Sequence, residues 1–326
     1  MDLFAALFTV LGLAFFELIL SVDNAIINAD ILSKSSERVK RWFLVWGLFI
    51  AVFVVRGVLP WLIMLLATPS IGPVGALTAM FNSDPAVAGA VEASAPLLLV
   101  GGGVFLLFLF FHWLFMEPKN YGIRGERFFH SQGAWFFAVV SIILALVTWF
   151  AIQRDPMMAF GAVVGSTAFF IVHGFKQNAE AKEKEMLESK GGARGISDVS
   201  KLLYLEVIDM TFSVDGVVGA FAFTLAIPLI LVGNGIGALA VRELTIRNIQ
   251  NVKKYLYLKN GAMYSILFLG IVMVADAFGA HIPSWASPII TFSVVGFFFW
   301  KSHLYLKANS GNAAARAGEP GSKEVG

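Results

Sequence analysis

The chain has 326 residues, of which 58% are hydrophobic and only 14% are charged. Since a typical soluble domain has about 25% charged residues, this composition excludes an ordinary soluble protein and indicates a polytopic membrane protein. The net charge of +2 gives no nucleic-acid-binding signal, and the absence of cysteine excludes disulfides, iron–sulfur clusters and thiolate zinc sites.

Apolar runs long enough to cross a bilayer, about 17–25 residues each, recur along the chain and predict an all-α fold of about nine transmembrane helices. The sixth and seventh runs are divided only by Pro228 and a short link. After the fifth run, mixed charges at helical spacing predict a short cytoplasmic helix and then a hinge at Gly191-Gly192. The predicted spans are 3–28, 43–67, 96–116, 134–153, 157–175, 202–224, 226–241, 262–280 and 287–306.

The distribution of basic residues predicts the orientation in the membrane. Lysine and arginine concentrate after the odd-numbered spans, as at Lys34 and Arg38 after the first and at Lys253 and Lys254 after the seventh. The intervening loops carry almost no basic residue, with Arg154 as the exception. Because basic loops stay in the cytoplasm, we expect a cell (inner) membrane protein with its N-terminus outside and its C-terminus in the cytoplasm.

Two acidic motifs lie in matching frames inside predicted spans. The tripeptide Ser-Val-Asp occurs at residues 21–23 and again at residues 213–215. In each copy a further acid lies six residues before the aspartate, Glu17 in the first copy and Asp209 in the second. Because each carboxylate at membrane depth costs about 2.5–3.5 kcal/mol, two such clusters indicate a functional use.

The similarity between the two halves extends beyond the tripeptide. After each motif a glycine precedes an arginine by nine residues, Gly47 with Arg56 and Gly233 with Arg242. The copies are offset by five spans, so they cross the membrane in opposite directions and predict an inverted repeat, as in transporters that bind substrate near the midplane. The predicted division is a first repeat of three spans (1–116), two linking spans (117–175), a charged cytoplasmic loop (176–200), a second repeat with a terminal span (201–307) and a disordered tail (308–326).

Helical geometry divides each motif between two faces. The leading acid and the serine share one face, whereas the aspartate lies about 120° away around the helix. Each aspartate therefore faces another helix, or the helix unwinds near Ser-Val-Asp, which Asn24 in one copy and Gly216 in the other favour. The candidate metal ligands are Glu17, Ser21, Asp23, Asn24, Glu206, Asp209, Ser213 and Asp215, with Arg56 as their charge partner.

The charge balance of these motifs indicates a cation. Arg56 is the only basic residue clearly inside a predicted span, so it cannot neutralise the five acids of the two motifs. The other acids must be protonated, share protons or hold a metal ion. Their hard oxygen ligands suit Mg, Ca or Mn. We interpret His112 and His173, near the ends of the third and fifth spans, as interfacial packing residues rather than metal ligands.

The motifs at residues 17–24 (ELILSVDN) and 209–215 (DMTFSVD) resemble those of the TerC family of integral membrane proteins, within the LysE-like transporter superfamily. That family is associated with tellurite resistance and, in several members, with manganese export. The resemblance implies divalent-cation efflux, with site residues at Glu17, Asp23, Asn24, Asp209 and Asp215. Gly216 replaces the asparagine of the first copy, a departure that points to a divergent subgroup.

The resulting hypothesis is a proton-coupled exporter of a divalent, Mn-like cation, with no permanently bound cofactor. Its expected partners are the metal ion, protons and the lipid bilayer, not nucleic acid, and its oligomeric state is left open. Two alternatives are an exporter of small organic solutes such as amino acids and a non-transporting membrane partner in a stress response. An enzyme is not expected, because an aspartyl-protease dyad needs two carboxylates that share one proton and this chain has too many acids.

Overall fold

The structure confirms a helical membrane protein. It is a computed structural model that describes residues 3–33, 36–47, 49–50, 56–78, 85–188, 213–247 and 252–317, with the single residues 207 and 210. Within these residues every regular element is a helix. Seven helices are long and apolar enough to cross a membrane, or eight if one bent pair is counted as a span. The all-α, polytopic prediction is therefore confirmed.

Thirteen α-helices are described in these residues. They are α1 (Leu3–Leu20), α2 (Val22–Ser33), α3 (Glu37–Trp42), α4 (Arg56–Ala67), α5 (Gly72–Thr78), α6 (Pro85–Met116), α7 (Glu126–Ser131), α8 (Phe136–Ile152), α9 (Pro156–Glu188), α10 (213–220), α11 (Ile227–Arg247), α12 (Leu258–Ala277) and α13 (Ala286–Ala317). Short π and 3₁₀ turns follow α3 (Phe43–Gly47), α4 (Pro69–Ile71) and α7 (Gly133–Trp135).

Six of the nine predicted spans coincide with single candidate membrane helices, namely α6, α8, α9, α11, α12 and α13. The first, 3–28, is divided at Ser21 into α1 and α2. The other two, 43–67 and 202–224, lie partly outside the described residues. After α4 the chain turns by 102° into the segment Pro69–Ala76. Pro69 at the first position of the new turn removes a backbone donor and so favours this break.

The three consecutive glycines of α6 let neighbouring helices pack directly against its backbone. A Cβ placed on Gly101 would lie 2.9 Å from the carbonyl oxygen of Gly161 in α9. On the next face, a Cβ on Gly103 would lie 3.0 Å from the carbonyl oxygen of Gly270 in α12. The triplet thus lets α9 and α12 approach α6 closely, which makes α6 the centre of the bundle.

A second glycine pair joins the two halves of the chain. A Cβ on Gly233 of α11 would lie 2.5 Å from Cβ of Leu13 in α1, and one on Gly237 would lie 2.6 Å from Cβ of Glu17. Since these glycines are four residues apart, they lie on one face of α11 and form a groove for α1. The helix that carries the first acidic motif is thereby fixed against the second half of the molecule.

Two helices extend beyond the boundaries expected from hydropathy. Helix α9 continues to Glu188, so residues 176–188 prolong a membrane helix instead of starting a separate loop. Helix α13 continues to Ala317, into the segment predicted to be a disordered tail, where several alanines favour helix. The remainders of these two segments, 189–200 and 318–326, lie outside the described residues.

Candidate functional site

Five of the nine residues predicted for the site have described side chains. They are Glu17, Ser21, Arg56, Ser213 and Asp215. The backbone of Asp23 and Asn24 belongs to α2, but their side chains lie outside the described part of the structure. Glu206 and Asp209 also lie outside it.

Glu17 is buried near the end of α1 and is neutralised by an arginine from another helix. Its Oε1 accepts a hydrogen bond from Nη2 of Arg56, the first residue of α4, and both side chains are almost fully buried. The same oxygen accepts a hydrogen bond of 2.9 Å from Oγ of Ser21. Because removing one partner of a buried ion pair leaves an uncompensated charge, Glu17 and Arg56 act as a unit.

The helix break in the first motif is limited to one residue. Ser21 separates α1 from α2, yet its N–H still donates to the carbonyl of Glu17 at 3.0 Å. The N–H of Ala25 likewise donates to the carbonyl of Ser21 at 2.8 Å. In the second copy, α10 is continuous through Ser213-Val214-Asp215. Of the two alternatives left open by the sequence, extensive unwinding is therefore not seen in the described residues.

The second motif packs against the acid of the first. A Cβ placed on Gly216 would lie 2.5 Å from Oε2 of Glu17. One turn later, a Cβ on Gly219 would lie 2.6 Å from the ring of Phe16. Glycine at position 216, where the first copy has an asparagine, thus provides the space occupied by the carboxylate of Glu17.

Asp215 is buried on α10 and pairs with a lysine from α9. Its Oδ2 lies 3.2 Å from Nζ of Lys176, and the two side chains are 11% and 16% exposed. Ser213, the first described residue of α10, is also buried. The two described acids, Glu17 of the first motif and Asp215 of the second, therefore have different cationic partners, Arg56 and Lys176.

Both motif copies border one cavity of about 70 Å³. The first copy contributes Leu20 and Val22, which flank Ser21 in the chain, and the second copy contributes Asp215. Further charged groups come from the C-terminal end of α6, from α9 and from the start of α12. The lining residues are Ile19, Leu20, Val22, Leu109, Glu117, Lys176, Asp215, Lys259, Ala262, Met263 and Ile266.

Glu117 forms a second charged cluster on the cavity wall. Its Oε2 lies 3.0 Å from Nζ of Lys259, and its Oε1 lies 3.5 Å from Nδ1 of His112. Burial alone would raise the pKa of this carboxyl, but the neighbouring His112, Lys259 and Lys176 bring the pKa well below its ordinary value. Glu117 is therefore a carboxylate at neutral pH.

The loop that carries Glu117 is held by buried polar contacts. Burial lowers the pKa of Lys119 to about 8, and its ammonium donates to the carbonyl of Leu114 at 2.6 Å. Glu126, at the start of α7, accepts from the backbone N–H of Gly122 at 2.6 Å and from Nδ2 of Asn260 at 3.0 Å. These contacts fix the loop to α6 and α12, and so place Glu117 at the cavity.

Several of these charged residues were not predicted to belong to the site. Lys176 and Lys259 directly precede or follow apolar runs, so the sequence assigns them to loops. His112 and His173 were interpreted as packing residues. The centroids of their rings lie 3.9 Å apart, and His112 also faces Glu117. No signal in the sequence marks these four residues as site residues, because α6, α9 and α12 bring them together only in the folded protein. Among the described residues, no three His, Asp or Glu side chains are arranged to hold a metal ion.

Arg242, the counterpart of Arg56 in the repeat pattern, has a different role. Its Nη1 donates to the backbone carbonyl of Phe43, and its guanidinium stacks over the ring of Phe43 at 4.0 Å. This contact ties α11 to the π turn after α3. The two arginines are thus alike in sequence position but bind different groups.

A family model described as "Protein of unknown function (DUF475)" matches residues 22–309, which is most of the chain. Comparison with curated proteins finds no match, and neither does comparison with solved structures. The matched region contains the second acidic motif and begins within the first. The resemblance of these motifs to the TerC family is not tested by the match and stays a prediction.

Proposed function

This chain belongs to the DUF475 family, and from that premise we propose that it exports a divalent, Mn-like metal cation across a membrane in exchange for protons. One observation supports the proposal above all others. Both copies of the acidic motif contribute residues to the wall of one cavity, and one described acid of each copy, Glu17 in the first and Asp215 in the second, is buried against a cationic side chain.

Buried carboxylates that already have cationic partners can exchange them for another cation. In the structure Arg56 neutralises Glu17 and Lys176 neutralises Asp215, so neither acid carries an uncompensated charge. A metal ion that enters the cavity would compete for the same oxygens. Protonation of a carboxylate also removes its charge and so frees it from its cationic partner. This gives a route for coupling transport to protons.

The proposed ligands are oxygen atoms, which suit Mn, Mg or Ca better than copper or zinc. Asp215 is the motif carboxylate on the cavity wall, and Glu17 lies directly behind Gly216. The resemblance to TerC proteins supports the choice of manganese and the direction of export. The full proposed set is Glu17, Ser21, Asp23, Asn24, Glu206, Asp209, Ser213 and Asp215.

A second candidate substrate is a small zwitterion such as an amino acid. Such a solute needs positive groups for its carboxylate and negative groups for its ammonium. The cavity wall offers both, since Lys176 and Lys259 alternate with Asp215 and Glu117. A non-transporting role in a stress response is the remaining alternative, and it predicts no flux of either substrate.

Flux into liposomes that contain the full chain tests the proposal. We expect uptake of Mn²⁺ that depends on a pH gradient, and loss of this uptake in Asp215→Asn, which keeps the size of the side chain but removes its charge. Glu37→Gln is the matched control, because Glu37 is exposed and pairs only locally with Lys40. It should retain the uptake rate.

Three outcomes would contradict the proposed function. Uptake of an amino acid without uptake of Mn²⁺, Mg²⁺ or Ca²⁺ would identify the zwitterion transporter instead. Absence of flux for every solute would favour the non-transporting role. Full Mn²⁺ uptake by Asp215→Asn, inserted at the same level as the unaltered chain, would show that the cation does not use this carboxylate.

A further inference from the structure

Lys176 occupies an unusual position for a lysine. It lies on α9 where the candidate span approaches its end, and its ammonium faces inward to Asp215 with the side chain only 16% exposed. A lysine at the end of a membrane helix commonly extends to the water interface instead. The inward position places its positive charge next to Asp215, the carboxylate that binds the cargo cation in the proposed function.

The two ion pairs of the motifs differ in their access to the cavity. Lys176 and Asp215 both line it, whereas neither Glu17 nor Arg56 does. A cation in the cavity therefore meets the pair of the second motif first. It can reach Oδ2 of Asp215 only in competition with the ammonium of Lys176, which lies 3.2 Å away.

We propose that Lys176 is a tethered counter-cation that neutralises Asp215 in the empty protein and must be displaced when the cargo cation binds. This inference rests on the proposed function and names a specificity-determining residue for it. The lysine keeps the empty site electrically balanced, which avoids a buried uncompensated charge. It also weakens cargo binding, and so allows the cargo to leave.

A second acceptor for the displaced ammonium lies in the same cavity. Glu117 is on the cavity wall, and the charge of Lys176 is one of those that lower the pKa of its carboxyl. Once displaced from Asp215, the ammonium can therefore turn toward Glu117 within the same cavity. Lys259 pairs with Glu117 and is 39% exposed, so its ammonium can move into water and leave Glu117 to Lys176.

Mn²⁺ binding by the purified full chain tests this role. Lys176→Met keeps the apolar stem and removes the charge, so we expect Mn²⁺ to bind about tenfold more tightly, the change that corresponds to one weakened competing ion pair. Turnover in liposomes should fall, because tighter binding slows release. Lys176→Arg keeps a positive charge and should restore both affinity and turnover to within about threefold of the unaltered chain.

Lys259→Met is the matched control, because it removes the same charge from the same cavity but leaves the pair with Asp215 intact. We expect a smaller change in Mn²⁺ affinity than in Lys176→Met. Equal tightening in both variants would assign the effect to the general electrostatic potential of the cavity and overturn the specific role. Unchanged or weaker binding in Lys176→Met would overturn it as well.

Amine labelling of the unaltered chain provides a test that needs no variant to fold. If Mn²⁺ displaces Lys176, its labelling measured by mass spectrometry should rise with Mn²⁺, and that of the distant Lys40 should stay constant. Labelling of Lys176 that falls or does not change would contradict the inference. Absence of any Mn²⁺ binding by the unaltered chain would contradict the proposed function, whereas binding with unchanged labelling contradicts the displacement of Lys176 alone.

Discussion

At the residue scale, the site depends on charges that are neutralised inside the protein. Glu17 is held by Arg56 and Ser21, and glycine at position 216 gives its carboxylate the necessary space. A larger side chain at 216 would press on Oε2 of Glu17, so the departure from the first copy at this position has a steric cause. The two motif copies therefore differ in sequence where they contact each other.

A double-mutant cycle on Glu17 and Arg56 tests the buried ion pair. Arg56→Met leaves Glu17 buried without its partner, and we expect it to lower stability by about 3–5 kcal/mol. Glu17→Leu combined with Arg56→Met removes both charges and should recover most of this loss. Melting temperatures measured by thermal unfolding in detergent give the order of stability of the variants.

The control for this cycle is Lys40→Met, since its partner Glu37 is an exposed neighbour on the same helix and the pair contributes little. We expect its melting temperature to stay close to that of the unaltered chain. A double variant less stable than Arg56→Met alone would show that Glu17 does not need charge compensation, and would contradict the buried-pair account.

At the element scale, α9 connects the packing of the bundle with the chemistry of the cavity. Toward its N-terminal end, Gly161 and Gly165 pack against the backbone of α6, and farther along the helix Lys176 reaches Asp215. Phe169 lies between these regions and packs edge-on against Phe105 and Phe108, at centroid distances of 6.0 and 5.7 Å. The position of Lys176 therefore depends on how closely α9 approaches α6.

Two glycine substitutions on α9 test this dependence. In Gly165→Ala the new methyl group would meet the carbonyl oxygen of Gly101, so we expect α9 to move outward at a cost of about 1–3 kcal/mol. Gly174→Ala is the control on the same helix, because its Cβ would meet no atom within 4 Å. Alanine there should be neutral or stabilise the helix by up to about 1 kcal/mol.

Melting temperature and Mn²⁺ uptake are the two measurements for this pair. Gly165→Ala should lower both, and Gly174→Ala should lower neither. Equal effects of the two substitutions would mean that the close approach of α6 and α9 does not determine the placement of Lys176.

At the scale of the whole molecule, periodicity and composition predict the helical class and most of the membrane helices. The apolar runs determine where a helix can cross a bilayer, and they identify most of the candidate membrane helices. The leading acid of the first motif and the aspartate of the second are both buried, in accord with the cost of exposing a carboxylate to lipid. These properties depend on local sequence, which explains why they can be predicted.

The rest of the candidate site depends on tertiary structure. Glu117, Lys176 and Lys259 each follow or precede an apolar run, a pattern typical of solvated loop charges. They form part of the cavity because α6 ends, α9 continues and α12 begins at the same end of the bundle. Hydropathy cannot reveal such a meeting, since it depends on contacts between residues far apart in the chain.

The central claim is that the cargo cation occupies the cavity bordered by both motifs, and cysteine protection tests it most directly. Because the chain contains no cysteine, Ile19→Cys in the cavity and Glu37→Cys on α3, where the side chain is 82% exposed, can each be labelled alone with a small thiol reagent. We predict that Mn²⁺ slows labelling at position 19 but not at position 37, and that Asp215→Asn abolishes this protection. Equal labelling at position 19 with and without Mn²⁺, in protein that transports Mn²⁺, would contradict the claim.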